Sequence, residues 1–286
     1  MTREHAESAG ERAFRATRTG APMSVALAEN MVRPRRREGW IERLALLSPI
    51  VILLLWEFLS QSDILDKRFI PPPTQVVDEF WVNLENGKLV GHTRDSLSRI
   101  LIGFAGGSAI GLLMGLYLGL FRIPRLLLAP VFAALYPVPK IAIFPVLLII
   151  FGLGDASKWV AVGIGAFFLV FYNTLGGVLQ IPTIYLDVAR NAGASRYQVF
   201  RTVALPAALP DIFTGLRLAV GTSFVVLVAA EFVGAKSGLG MFIWSSWMTL
   251  QVDRMFMGIV VIAFLGYLAI TFVGWLERRL VPWARH

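Results

Sequence analysis

Long apolar runs separated by short polar segments dominate the hydrophobicity pattern of this chain. The runs approach the ~20 apolar residues that a helix needs to cross a bilayer. They cover about 44–60, 96–121, 126–152, 159–180, 208–230 and 255–276. Each run is continuous, whereas the strands of a transmembrane β-barrel alternate apolar and polar residues. The pattern therefore predicts an all-α polytopic membrane protein with about six transmembrane helices.

Composition supports a membrane protein and leaves little material for catalysis. Hydrophobic residues make up 56% of the 286 residues, compared with roughly 45–50% in soluble domains. There is no cysteine, and the three histidines lie far apart in the sequence. We find no Walker-type glycine loop and no HExxH sequence. We therefore predict no catalytic residues, no metal site, no cofactor and no nucleotide site in this chain.

The placement of charge predicts how the chain crosses the membrane. The net charge is +8, and the excess lies in the tails and in short segments beside the apolar runs. This is the arrangement of the positive-inside rule, so we assign it to topology and not to nucleic-acid binding. Residues 1–39 are predicted to be a disordered, Arg-rich cytoplasmic tail and 40–286 a transmembrane domain. The protein is expected in the bacterial inner membrane, with both termini cytoplasmic.

Two other charged or aromatic segments have more than one interpretation. The tail contains an arginine cluster that is either a topology signal or an anionic-lipid site. Its members are Arg33, Arg35, Arg36 and Arg37. Residues 232–254 are predicted outside the membrane, where Trp244 and Trp247 belong either to an aromatic belt or to an outer gate. After three prolines at 71–73, a short amphipathic helix is expected at the outer surface.

Glycines recur every four residues along the second predicted span. They are Gly103, Gly107, Gly111, Gly115 and Gly119. This spacing puts them on one helix face, and a face without side chains lets another helix backbone approach closely. The row predicts a helix-packing seam, either within the subunit or at a dimer interface.

Lys140 is a charged residue near the middle of the third predicted span. An intramembrane charge is a candidate functional site, although a lysine can also snorkel to an interface or pair with a carbonyl. The prolines of this span are Pro130, Pro137, Pro139 and Pro145. Proline in lipid is tolerated where protein or a water-filled path covers the freed backbone. We assign Lys140, Pro139, Pro145 and Glu231 to a candidate translocation path.

The stretch from Asp187 to Pro206 is a polar island between two strongly apolar segments. Its pattern predicts two short helices with a break at Gly193, where a left-handed residue would end the first. Ser195 can cap the second helix, and Gln198 falls three residues later, as a capping box requires. Pro206 is expected to stop the second helix. We predict a rigid helical elbow that presses against another protein.

This island resembles the EAA loop of ABC-importer permeases. In that loop Glu-Ala-Ala is followed three residues on by Gly, and later by Ile-x-Leu-Pro. The residues at these positions here are Asp187, Val188, Ala189, Gly193, Val203, Leu205 and Pro206. Asp187 in place of Glu and Val188 in place of Ala are departures from the pattern. Segments 139–145, 151–154 and 238–240 look like the sulfonate, taurine and nitrate branch of these permeases.

The resemblance implies the permease subunit of an ATP-driven importer with a type I ABC importer-like fold. A coupling loop, 183–206, would sit in a groove of a separate ABC ATPase. Its ATPase-coupling residues would be Asp187, Ala189, Gly193, Ala194, Tyr197, Phe200, Leu205 and Pro206. Further partners would be a periplasmic or lipid-anchored solute-binding protein, a second permease chain in a homodimer, and membrane lipid. Lys140 and the branch together favour a small anionic solute.

A self-sufficient, ion-coupled secondary transporter is the alternative function. Such carriers usually show several intramembrane carboxylates or a broken-helix repeat. The predicted spans contain few acids and no clear internal repeat. The two functions differ in an observable way, because a permease subunit would copurify with an ATPase and a carrier would transport alone.

Overall fold

The computed structural model describes residues 39–62 and 64–284, so the predicted tail and its arginine cluster lie outside the described residues. Helices form all the regular structure of the described part, which confirms the all-α prediction. The α-helices are α1 Gly39–Gln61, α2 Pro73–Glu85, α3 Lys88–Leu120, α4 Arg122–Leu135, α5 Phe144–Phe151, α6 Asp155–Leu179, α7 Thr183–Asn191, α8 Arg196–Val199, α9 Leu205–Phe232, α10 Leu239–Met248 and α11 Val252–Leu280. The chain divides into two units between Trp56 and Glu57, and α2 to α11 belong to the second unit.

Four helices of the described residues are long and apolar enough to cross a membrane. They are α3, α6, α11 and the helix that runs from Tyr197 to Phe232. The bent pair of α4 and residues 140–151 adds a fifth span if the pair is counted as one. The described apolar part of α1, Leu47–Gln61, is shorter than these. A multi-pass helical membrane protein is therefore confirmed, while the count of six spans stays a prediction.

The third predicted span, 126–152, is not one continuous helix. It breaks after Leu135 and resumes as a 3₁₀ turn, Lys140–Ile143, that leads into α5, and the two halves differ in direction by 87°. Pro137 and Pro139 lie in the break. Proline removes a backbone donor and disfavours helix at the residue before it, so two prolines so close together end α4.

The glycine row of α3 forms a packing seam with α6. A Cβ added at Gly107 would lie 2.1 Å from the carbonyl oxygen of Gly163, and one at Gly111 would lie 2.6 Å from that of Phe167. The same holds along the row, because added Cβ atoms at Gly103, Gly115 and Gly119 would also meet α6 within 3 Å. Of the two predicted alternatives, the seam within the subunit is the one observed.

Pro206 does not stop the helix that precedes it, and that expectation was wrong. α8 passes through a π-helical turn, Phe200–Ala204, directly into α9, so that a single helix of 36 residues runs from Tyr197 to Phe232. Pro206 is the second residue of α9. Its missing N–H falls next to the wide turn, and π-turns and prolines are the usual sites where a helix bends without ending.

α6 is the central helix of the second unit and packs against both α3 and α9. α9 in turn packs against α11, and α10 lies against α9 and α11. α2, the predicted amphipathic helix, packs on α11 and α3 and buries Val76 and Asn83. The helices that carry the candidate sites are therefore held by side-by-side packing with α6 and α9.

Candidate functional site

Gly193 forms the turn that ends α7. Its φ of +79° lies in the left-handed region. The N–H of Gly193 donates to the carbonyl of Arg190 at 2.9 Å, and the N–H of Ala194 donates to the carbonyl of Ala189 at 3.0 Å. These are the two hydrogen bonds of a Schellman motif. An added Cβ at Gly193 would meet no atom within 4 Å, so glycine is required here by its backbone angle and not by packing.

A capping box starts the second helix of the elbow. The N–H of Ser195 donates to Oε1 of Gln198 at 2.7 Å, and the N–H of Gln198 donates to Oγ of Ser195 at 3.3 Å. Each side chain therefore satisfies a backbone donor of the other residue, as the motif requires. The predicted turn at Gly193 and the predicted cap at Ser195 are both confirmed. Together they fix the angle between α7 and the helix that follows.

One face of the elbow exposes apolar and charged side chains to solvent. Ile184, Tyr185, Val188 and Tyr197 are each about 60% exposed or more. Asp187 shares this exposure and forms an ion pair with Arg190, with 3.6 Å between their charged atoms. A group of exposed apolar residues of this size indicates an interaction surface.

The other face anchors the elbow to the transmembrane helices. Phe200 and Leu205 pack against a buried cluster whose members are Val178, Ile181, Ala204, Ala208 and Ile212. The indole N–H of Trp283 donates to the carbonyl of Pro206 at 3.3 Å. Of the predicted ATPase-coupling residues, Asp187 and Tyr197 therefore face solvent. Phe200 and Leu205 face the transmembrane helices, and Ala189, Ala194 and Pro206 are half-buried.

A buried ion cluster joins three helices at the far end of α9 from the elbow. Arg99 on α3 places Nη1 2.7 Å from Oε1 of Glu231 and Nε 2.8 Å from Oδ1 of Asp155. The Glu231 side chain is completely buried and that of Arg99 is 6% exposed, whereas Asp155 is half-exposed. Ser96 also donates its hydroxyl to Glu231. We call this group the Arg99 cluster.

The Arg99 cluster also holds the start of α10. Three successive backbone N–H groups donate to side chains: that of Gly238 to Nδ1 of His92 at 3.0 Å, that of Leu239 to Oγ of Ser96 at 2.8 Å, and that of Gly240 to Oε2 of Glu231 at 2.8 Å. The helix donors that lack partners at an N-terminus are thus satisfied by α3 and α9. Glu231, which the sequence assigned to the translocation path, belongs to this cluster.

The sequence analysis missed His92, Ser96 and Arg99. Their spacing of four and three residues places them on one helix face, which was the available signal. The second span was expected to start at 96, and α3 in fact starts at Lys88. Moving the start of the helix outward by two turns brings all three residues onto the same helix and would have revealed the polar face.

Lys140 lies on the wall of a cavity of about 410 Å³ between the broken helix, α6 and α9. The lining residues are Tyr136, Pro139, Lys140, Ile141, Gly165, Phe168, Leu169, Thr222, Val225, Val226 and Ala229. The Lys140 ammonium lies 4.8 Å from the ring centres of both Tyr136 and Phe168 and donates to the carbonyl of Tyr136. The structure brings Lys140 and Pro139 together in this cavity, while Pro145 and Glu231 lie outside its lining.

Metal-binding geometry is absent from the part of the chain that the structure describes, where no group of three His, Asp or Glu side chains could hold an ion. The arrangement offers instead an exposed elbow, a continuous helix and a cavity with a cation. These features are suited to contact with a partner and passage of a solute.

Comparisons with known proteins agree with these features. A family model described as binding-protein-dependent transport system inner membrane component matches residues 107–282. The putative aliphatic sulfonates transport permease protein SsuC of Bacillus subtilis is 34% identical over 80% of this chain and 82% of its own length. The taurine transport system permease protein TauC of Escherichia coli is 33% identical over 84% of this chain and 91% of its own length.

A solved structure supports the fold. A chain of the MetNI methionine ABC transporter, in an inward-facing conformation, superposes with a TM-score of 0.61. The match covers 69% of this chain and 97% of that one at 23% identity. The chain belongs to the family of binding-protein-dependent transport system inner membrane components, and it is a membrane-spanning permease subunit of an ABC importer.

Proposed function

We propose that this permease imports a small organic anion that a solute-binding protein delivers, and that a separate ATPase drives the transport by docking on the coupling loop 183–206. The observation that carries the proposal is the continuous helix from Tyr197 to Phe232. Its first turns belong to the elbow, its last third lines the Lys140 cavity, and Glu231 near its end belongs to the Arg99 cluster.

The coupling loop is suited to transmit a push from a partner into the membrane. An ATPase that closes on ATP would press on the exposed face of the elbow, which includes Tyr185, Val188 and Tyr197. The Schellman motif and the capping box oppose bending inside the elbow, so the displacement passes into α9. Because α9 lines the Lys140 cavity, two states of the ATPase would correspond to two states of the solute path.

Two further observations support an anionic solute and a partner chain. The relatives described above are named for aliphatic sulfonates and for taurine, which both contain a sulfonate group. Lys140 supplies a positive charge to the cavity, and such a charge attracts anions and repels cations. The cavity opens beside exposed residues such as Val225, where we propose that a second permease chain completes the path. An ion-coupled carrier, the alternative, has no observation in its favour.

Gly193 variants test the coupling loop. Gly193→Val should leave membrane insertion intact and lower solute-stimulated ATP hydrolysis, because a β-branched residue resists the left-handed turn. The left-handed conformation costs a non-glycine residue ~1–2 kcal/mol, which would reduce the population of the native turn about 5- to 30-fold. ATP hydrolysis and uptake should be measured together in proteoliposomes that contain the whole complex.

Gly193→Asn is the matched control, since asparagine accepts the left-handed region and should retain most activity. Asp187→Arg should also reduce stimulation, because it reverses a charge on the exposed face and places it beside Arg190. Normal coupled transport by Gly193→Val and Asp187→Arg would remove the loop from the mechanism.

The proposed topology places residues 1–39, the coupling loop and the C-terminus in the cytoplasm. Because the chain has no cysteine, single cysteines can report sidedness directly. Lys236→Cys should react with a membrane-impermeant maleimide in intact spheroplasts, whereas Val188→Cys should react only after lysis. Both positions are exposed. Labelling of Val188→Cys in intact cells would reverse the topology and with it the docking site of the ATPase.

A further inference from the structure

Charged side chains in the apolar helices of the described unit have different kinds of partner, either an opposite charge or backbone carbonyls. Arg99 pairs with Glu231, and Arg217 pairs with Glu277 at 3.2 Å. Lys158 forms no ion pair with a described residue, but it is buried and donates to two carbonyls, those of Leu153 and Gly154, at 3.1 and 3.0 Å. Buried cations are expected to have such partners, because an unpaired charge in a low dielectric is costly.

Lys140 has no partner of opposite charge within the part of the chain that the structure describes. Within the described residues, its ammonium donates one hydrogen bond, to the carbonyl of Tyr136. An ammonium group has three N–H donors, so two remain available to a ligand in the cavity. The Tyr136 and Phe168 rings hold the ammonium in place through cation–π contact without neutralising its charge.

The rest of the cavity is apolar. Leu169 on α6 and Val225, Val226 and Ala229 on α9 supply aliphatic surface, and Thr222 is the hydroxyl-bearing residue that α9 contributes. A strongly hydrated inorganic anion would lose its water here and gain few hydrogen bonds in return. An anion that carries an aliphatic tail would place its charge on Lys140 and remove the tail from water. The volume of about 410 Å³ is in the range of small-molecule sites.

We propose that the Lys140 cavity is a solute-binding site within the membrane domain for an organic monoanion with a short aliphatic tail. The anionic group contacts Nζ of Lys140, and the tail lies against Leu169 and Val226. This inference rests on the proposed import function. It adds that the solute binds in the Lys140 cavity during transport, and that the cavity selects solutes by their charge and aliphatic tail. The permease, as well as the binding protein, would then select solutes by their aliphatic tail.

Binding to the purified permease without its binding protein is the direct test. Butane-1-sulfonate should bind the wild-type chain in nanodiscs by calorimetry, and nitrate at the same concentration should not. Loss of the charge pair in this partly open cavity should lower affinity by about fivefold or more, so Lys140→Met should bind at least that much more weakly. Lys140→Arg should keep part of the affinity. Lys236→Met, which removes an exposed lysine outside the cavity, should bind as the wild type does.

Tail length gives a second readout that a structural role for Lys140 would not produce. From ethane- to butane-1-sulfonate, affinity should rise about two- to fourfold for each methylene. Uncharged butane-1-sulfonamide controls for partition of the tail into lipid and should bind weakly to every variant. Butanoate should bind about as tightly as butane-1-sulfonate if the charge and the tail determine the affinity. It should bind more weakly if the site recognises the sulfonate group itself. Equal binding of butane-1-sulfonate by wild type and Lys140→Met, or no binding by the wild type, would overturn the proposal.

Uptake separates failure of this inference from failure of the proposed function. ATP-driven uptake of labelled butane-1-sulfonate by the wild-type complex, reduced in Lys140→Met at equal complex levels, supports both. Full uptake by Lys140→Met shows that the chain imports anions by a path that does not use this site. ATP-driven import of solutes other than anions by the wild type would refute the proposed anionic substrate, whatever Lys140→Met does.

Discussion

Gly107→Ala should destabilise the permease, whereas Gly106→Ala, one residue earlier on the same helix, should leave its stability unchanged or raise it. An added Cβ at Gly107 would lie 2.1 Å from the carbonyl oxygen of Gly163, while one at Gly106 would meet nothing within 4 Å. The first change forces α3 away from α6, and overpacking of this kind costs about 1–3 kcal/mol or more. The second change gains up to about 1 kcal/mol, because alanine favours helix over glycine.

The two glycine-to-alanine substitutions are expected to change the stability in opposite directions, and this makes their comparison a strict test of the seam. Thermal unfolding of each purified variant can be followed by the fluorescence of the eight tryptophans, with the monodisperse fraction from size-exclusion chromatography as a second measure. In lipid the association of helices depends on close packing and not on a hydrophobic driving force. A lower melting temperature for Gly106→Ala than for Gly107→Ala would place the close contact on another face of α3.

The elbow was predictable from sequence because its geometry is set by short-range interactions. The bonds of the Schellman motif and the capping box connect residues that are three to five positions apart, namely Ala189 to Ala194 and Ser195 to Gln198. Such signals can be recognised in one short window of sequence. The glycine row was predictable for the same reason. Its partner helix was not, because a repeat on one helix does not indicate which backbone approaches it.

Two errors concerned the effect of proline on a helix. Pro206 did not end the helix of the elbow. The π-helical turn before it accommodates the missing N–H of Pro206, and the helix continues into α9. At Pro137 and Pro139, in contrast, a span that was predicted to be continuous breaks, and its two halves differ in direction by 87°. A helix continues past a proline when the neighbouring turn can re-satisfy the freed backbone groups. That depends on the surrounding helices, which a local pattern does not describe.

The Arg99 cluster was not predictable from local patterns. Arg99 and Glu231 are 132 residues apart in the chain and meet because α3 and α9 pack against α6 and against each other. In the sequence Glu231 ends an apolar run and could belong to a solute path. Its hydrogen bond from the N–H of Gly240 and its ion pair with Arg99 show that it holds the start of α10, while its place in a solute path stays a prediction.

Arg99→Met should be the most destabilising single substitution among the charged residues of the second unit. It leaves the completely buried Glu231 carboxylate with only the Ser96 hydroxyl and the Gly240 N–H as partners. Removing one partner from a buried ion pair typically costs about 3–5 kcal/mol, because the remaining charge is uncompensated. The double variant Arg99→Met with Glu231→Met should recover much of this loss, since apolar replacement of both partners is often neutral.

The pair of Arg254 and Glu79 provides the control for this cycle. Their charged atoms are 3.1 Å apart, but the side chains are 36% and 20% exposed. A solvated pair contributes about 1 kcal/mol or less, so Arg254→Met should change the melting temperature little. If the double variant proves less stable than Arg99→Met alone, Glu231 must stabilise the start of α10 without needing its cation. The N-terminal hydrogen bond to Gly240, and not the ion pair, would then be the contact that holds α10 against α3 and α9.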